Sequence, residues 1–113
     1  MSSITIDLEK HRTKGSKVFT GRDRGIEVRT DSNIDKYIVE ERKNVDILIP
    51  SDIMSINPSF LEEFLTNVVL CLGKEGFYQS VKFKSYSKRY DISEDLEEAV
   101  DRILRKENAL TKK

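Results

Sequence analysis

The sequence predicts an α/β domain in the order β-β-α-β-α-β-α, with a mixed four-stranded sheet and its helices on one face. Three observations carry that expectation. Val45-Asp46-Ile47-Leu48-Ile49 is a short, nearly all-apolar, β-branched run. Apolar residues from Leu61 to Leu72 recur at helical spacing, and a second helical stripe runs from Leu96 to Leu104. Strand-like and helix-like segments alternate after the first two strands.

The elements follow in order. Ile4-Thr5-Ile6-Asp7-Leu8 alternates apolar and polar residues, as a half-buried strand does. A polar stretch with Gly15 leads to a short strand around Val18-Phe19-Thr20, and the two strands are expected to pair as a hairpin. Gly21 ends the second strand. From Arg22 to Arg42 the spacing of Ile26, Ile34, Tyr37 and Ile38 is helical. Asp31-Ser32-Asn33 favours caps and turns, so this segment is either one bent helix or two short ones.

Val45 to Ile49 is expected to be the central strand, ended by Pro50. Asn57-Pro58 suits an N-cap followed by a first helical residue that needs no donor. Leu61, Phe64, Leu65, Val68 and Leu72 then form the most buried stripe, and Gly73 stands where a helix-ending glycine belongs. Val81-Lys82-Phe83-Lys84 alternates as a strand with one basic face. Asp91-Ile92-Ser93-Glu94 resembles a capping box for the last helix, whose acids precede its bases. The tail from Asn108 to Lys113 is expected to fray.

The chain has 113 residues, which suits one domain spanning 1–113, and no linker or repeat divides it. Twenty basic residues balance twenty acidic ones, which argues against a nucleic-acid binder. The single cysteine, Cys71, excludes an intramolecular disulfide; within Val68-Val69-Leu70-Cys71-Leu72 it reads as a small buried hydrophobe. No secretory leader or membrane-length apolar run is evident, so a cytoplasmic location is expected.

Few residues suggest chemistry. His11 lies beside Arg12 without a second histidine or a cysteine for a metal or a triad. Gly21-Arg22-Asp23-Arg24-Gly25 matches no phosphate-binding loop. No metal, cofactor or catalytic set is expected. From Glu9 to Arg29 there is a local excess of four positive charges, and Arg12, Lys14, Lys17, Arg22, Arg24 and Arg29 form a candidate basic patch. It suits either a solvated surface or a negatively charged partner. Tyr78, Tyr86 and Tyr90 lie among Lys82, Lys84, Lys88 and Arg89, a pattern of either a half-exposed sheet edge or a stacking surface. Ser59 falls in the first turn of the buried helix, where free amides favour phosphate; the simpler reading is a helix-start residue.

Residues 45 to 72, VDILIPSDIMSINPSFLEEFLTNVVLCL, resemble the core of a STAS-like domain. FTGRDRGIEVR upstream and SVKFKS downstream resemble a bacterial STAS-like branch without a settled function, so the resemblance spans about Phe19 to Ile103. The wider group includes small cytoplasmic antagonists of anti-sigma factors. Those bind a histidine-kinase-like ATPase and are released when a serine at a helix start is phosphorylated. The resemblance places Ser59 on that serine. It implies a non-enzymatic docking surface of Ser51, Asp52, Asn57, Pro58, Ser59 and Phe60. Here Asn57 replaces the usual Asp, Pro58 a frequent Ser, and Phe60 a Gly, and the chain ends sooner after its third helix.

Overall fold

The computed structural model describes residues 3–88 and 90–111, with side chains through 106. Its main sheet has three strands, β1 (Ser3–Asp7), β3 (Asn44–Ile49) and β5 (Val81–Ser85), in the order β1-β3-β5. Strand β3 is central and pairs in parallel with both neighbours. The register aligns Ile4, Val45 and Val81 in one row and Ile6, Ile47 and Phe83 in the next. Because side chains alternate along a strand, both rows lie on one face. Val45, Ile47 and Ile49 are fully buried there. Thr5, Asp46 and Lys82, then Asp7, Leu48 and Lys84, occupy the opposite, open face.

The expected hairpin does not form. Between β1 and β2 (Val18–Phe19) the chain makes a 3-10 turn, Leu8–His11, and then a loop. Strand β2 pairs in parallel with β4 (Ser55–Ile56), a strand hidden in what the sequence presents as a connection. The mixed four-stranded sheet is therefore a parallel three-stranded sheet beside a parallel two-stranded one. Burial drives the exchange: Phe19 and Ile56, aligned in register, both enter the core.

Helix α1 spans Arg22–Ser32 and stops at Asn33, whose φ of 59° is left-handed. Asn tolerates that conformation because its short polar side chain bonds locally. The break inside Asp31-Ser32-Asn33 is thus real, and a separate π-helical turn, Lys36–Glu40, follows. Helix α2 spans Pro58–Ser80 and is flanked by α1 and α3 (Ser93–Thr111). Gly73, with a φ of 76° and a ψ of 174°, does end the first helical segment of α2 as the sequence suggests, and a second segment starts directly beyond this kink. Residues 74–80 wind on, and Phe77 reaches the core. Helix α3 continues through Thr111, past Asn108, where the sequence suggests fraying. Lys112 and Lys113 lie outside the described residues.

Phe60 anchors the core, stacking at a tilt on Phe19 at 5.2 Å and Phe64 at 5.8 Å between ring centroids. Each fully buried Phe stabilises the fold by about 1.5–3 kcal/mol relative to exposure. Cys71 departs from expectation. Helices α1 and α3 flank α2, leaving Asn67, Leu70, Cys71 and Lys74 as an outward stripe. Cys71 is exposed, and the Arg42 guanidinium donates to its Sγ at 3.6 Å.

Candidate docking site

Parallel α/β sheets present their ligands at the carboxyl ends of the strands. At that end of this sheet three connections meet: 8–21 after β1, 50–57 after β3, and 86–92 after β5. The middle one is held from both sides. Met54 N–H donates to the Lys17 carbonyl and Asn57 N–H to the Phe19 carbonyl, both at 2.8 Å. Ser87 Oγ donates to the Ile53 carbonyl at 2.8 Å, and the Tyr90 hydroxyl donates to the Ile56 carbonyl at 3.0 Å. The single Tyr90 hydroxyl hydrogen is shared between the Ile56 carbonyl and the Asp95 carboxylate at 2.7 Å, and burial together with the carboxylate pushes the Tyr90 pKa up.

Arg12 closes the other side. Its Nη1 and Nη2 form a fork on Asp52 at 2.8 and 2.9 Å, and Nη1 also reaches Glu9 at 2.8 Å. These bonds, Asp52 first, raise the Arg12 pKa further, and the Arg12 bond holds the Asp52 carboxyl below its ordinary range. A two-pronged bond between a guanidinium and a carboxylate fixes orientation as well as distance. The 50–57 connection is therefore pre-formed, and Met54 stands out from it with 51% of its surface exposed. Val18 and Tyr86 are exposed apolar residues on the adjoining segments. Between Lys17, Ser51, Asp52 and Met54 lies a shallow hollow of about 300 Å³.

The helix start differs from the sequence expectation. Asn57 is the N-cap, and its Oδ1 accepts from Ser59 N–H at 2.8 Å. The Asn57 carbonyl accepts from the amides of Phe60 at 3.0 Å and Leu61 at 3.2 Å. Pro58 has no amide hydrogen to offer. The first-turn donors expected to be free for phosphate are thus already engaged, and the helix dipole alone remains. Ser51 and Asp52 are exposed, Pro58 and Ser59 half-buried, and Phe60 fully buried. Phe60 therefore fixes the helix start from beneath rather than facing a partner.

One turn beyond Ser59, Glu62 is only 2% exposed at the junction of all three helices. Arg22 from α1 approaches it at 3.2 Å, Arg102 from α3 at 4.0 Å, and Lys106 from α3 also pairs with it. Burial pushes the Glu62 carboxyl up, but Lys106 and Arg22 outweigh it and hold the group below its ordinary range.

Most of the candidate basic patch is committed internally. Arg12 holds Asp52. Arg22 pairs with Glu62 and Glu63, and its pKa rises, mainly through Glu62. Arg24 pairs with Glu27 at 2.7 Å and also donates to the His11 carbonyl. Arg29 Nη1 donates to the Glu63 carbonyl at 2.7 Å. Lys14 and Lys17 are exposed and form no salt bridge among the described residues. His11 lies at the end of the 3-10 turn, beside a hollow at the outer edge of β1. Among the tyrosines, Tyr90 is tied into the 50–57 platform, Tyr78 packs edge-on against Phe77, and Tyr86 is exposed. Arg89 lies outside the described residues.

Sequence reasoning missed Met54, Val18 and Glu62. Met54 had one usable signal: a large apolar residue in a connection, belonging to no periodic stripe. Among the described residues no three His, Cys, Asp or Glu side chains cluster as a metal site, and no helix is long and apolar enough to cross a membrane. Compared with protein-family models, curated proteins and solved structures, the chain matches none.

Proposed function

We propose that this chain is a non-enzymatic, cytoplasmic interaction module that docks another protein at the carboxyl end of its parallel sheet. The supporting observation is the 50–57 connection, bonded from both sides and presenting Met54 to solvent. A pre-ordered surface loses little conformational freedom on binding. An exposed thioether adapts to the contours of an apolar partner. The resemblance to STAS-like domains suggests a histidine-kinase-like ATPase as the partner class.

Ser59 supplies the regulation in this reading. Phosphate there would add about −1.5 to −2 charges. It would sit one helical turn from Glu62 and Glu63, at the rim of the docking surface. With the first-turn amides occupied, that charge would find little compensation within the protein and would oppose closure of a partner over it.

The test is capture of a partner by the tagged protein from nuclease-treated extract of the source cells. The wild-type chain should retain a stoichiometric protein, Ser59→Ala should keep it, and Ser59→Asp should weaken capture about tenfold, the effect of roughly 1.4 kcal/mol. Unchanged affinity of Ser59→Asp would sink the switch but leave the docking. If no protein is retained, and nucleic acid co-purifies in a strongly salt-dependent way when nuclease is omitted, the basic-patch reading replaces both.

A further inference from the structure

We propose that the free edge of β5 is a peptide-binding site that takes an extended segment of alternating acidic and apolar residues as a further strand of the main sheet. Strand β5 pairs with β3 on one side only, and no described strand lies on the other. The Tyr86 amide donates to the Ile49 carbonyl at 3.0 Å. Strand alternation then turns the backbone groups of Lys82 and Lys84 toward β3 as well. Those of Phe83 and Ser85 face the open edge, where an added strand would pair with them.

A groove runs along this edge. Two adjoining hollows, of about 460 and 490 Å³, share Phe83, Ile92 and Ser93. One extends toward Tyr78 and Leu96, the other toward Ser87 and Tyr90. The groove therefore spans the length of β5 and lies between that strand and the first turns of α3. An incoming strand there would place alternate side chains over Ile92 and Leu96, which calls for apolar residues. Asp91 and Glu97 line this side and disfavour acids on it, Glu97 most clearly, since Lys88 lines the hollow beside Asp91 and offsets its charge.

The other side chains of the incoming strand would emerge on the open face, beside Lys82 and Lys84. Lys82 Nζ donates to the Tyr78 carbonyl at 2.7 Å and pairs with no carboxylate among the described residues. Lys84 shares Asp46 at 3.3 Å and remains more than half exposed. Opposite charges facing each other across strands stabilise a pairing, and like charges oppose it. Two β5 edges joined antiparallel about Phe83 would set Lys82 against Lys84, so the lysines discourage a second copy. The same lysines favour acids at every other position of a foreign strand.

The probe is a blocked, fluorophore-labelled heptapeptide of alternating glutamate and valine, read by anisotropy against the full chain at low salt. Binding should exceed that of the lysine–valine counterpart by about tenfold or more, which is 1.4 kcal/mol in the balance of charge pairs. N-methylation of the peptide amides that face β5 should abolish binding, because it removes the ladder and not the charge. Lys82→Glu should narrow or invert the preference while leaving the circular dichroism spectrum unchanged. Failure of the glutamate–valine peptide to bind would overturn the proposal. So would binding indifferent to N-methylation, which marks attraction to surface charge alone. A dimer in sedimentation that the peptide dissolves would assign the edge to a second copy and overturn it as well.

Discussion

Gly25→Ala is expected to destabilise the protein by about 3 kcal/mol, at the upper end of the overpacking range. In an exposed helix interior the same change stabilises by up to about 1 kcal/mol, since glycine is the poorer helix former. The sign reverses here because α1 crosses the start of α2 at Gly25. A Cβ at this position would lie 2.4 Å from the Phe60 carbonyl oxygen and 3.0 Å from Glu63 Cβ. The first contact is with backbone, which no rotamer change relieves. Parting the helices would also stretch the Arg29 bond to the Glu63 carbonyl and disturb the ring contact between Phe19 and Phe60. For a domain of this size the loss corresponds to a fall of roughly 12 °C in melting temperature. Thermal and urea unfolding would measure it; a neutral or stabilised variant would show that α1 and α2 do not approach this closely.

Glu62→Gln should cost about 2–3 kcal/mol at neutral pH. Breaking a buried ion pair usually costs about 3–5 kcal/mol when the remaining charge is stranded. Here Arg22, Arg102 and Lys106 are each more than a third exposed and can turn to water, which lowers the cost. The effect depends on pH in a defined direction. The folded-state pKa of Glu62 lies below its ordinary value of 4.5. Its contribution is therefore complete above the unfolded-state pKa and disappears as the pH falls through the folded one. The stability gap between wild type and Glu62→Gln should be full at pH 7, begin to narrow as the pH falls past the ordinary carboxylate value of 4.5, and close only below the lowered folded-state pKa. Asp52 and Asp91 also have lowered values, Asp91 through the Ser93 amide, but both remain in each protein and cancel in the difference. A gap that stays constant down to acid unfolding would show that the carboxylate charge contributes nothing.

The sequence displays some of this architecture and hides the rest for physical reasons. Strand β3 is legible because a central strand covered on one face needs apolar, β-branched residues at every other position, and Val45, Ile47 and Ile49 supply them. The start of α2 is legible because Asn57 and Pro58 solve the problem of unbonded amides locally. Strands β2 and β4 are two residues each, too short for any period, and their partnership rests on the burial of Phe19 against Ile56 and Phe60, far apart in the chain. Whether β1 and β2 pair with each other is likewise decided by long-range contacts. Gly73 carries the local mark of a helix end, and the backbone there obeys it. The chain then winds again because Phe77 can still reach the core. Cys71 sits in an apolar run, but the helices on either side of α2 determine which of its faces meets solvent.

The candidate site divides in the same way. Ser59 and the 51–58 connection stand out in sequence by their place after a strand and before a helix. The rigidity that makes the connection a platform is invisible there, because Arg12 and Asp52 lie 40 residues apart and Ser87 and Ile53 lie 34 apart. Arg12, Arg22, Arg24 and Arg29 read as free charge along the chain and are engaged in the fold.

The most direct test of the docking surface is a photo-cross-linking amino acid in place of Met54, with the same group at exposed Glu75 on α2 as control. Illuminated in cells of the source, the Met54 position should yield one protein adduct of defined mass that survives nuclease and weakens in the Ser59→Asp background. The Glu75 position should yield none. Equal adducts at both positions, or none at Met54, would contradict a docking surface at the carboxyl end of the sheet.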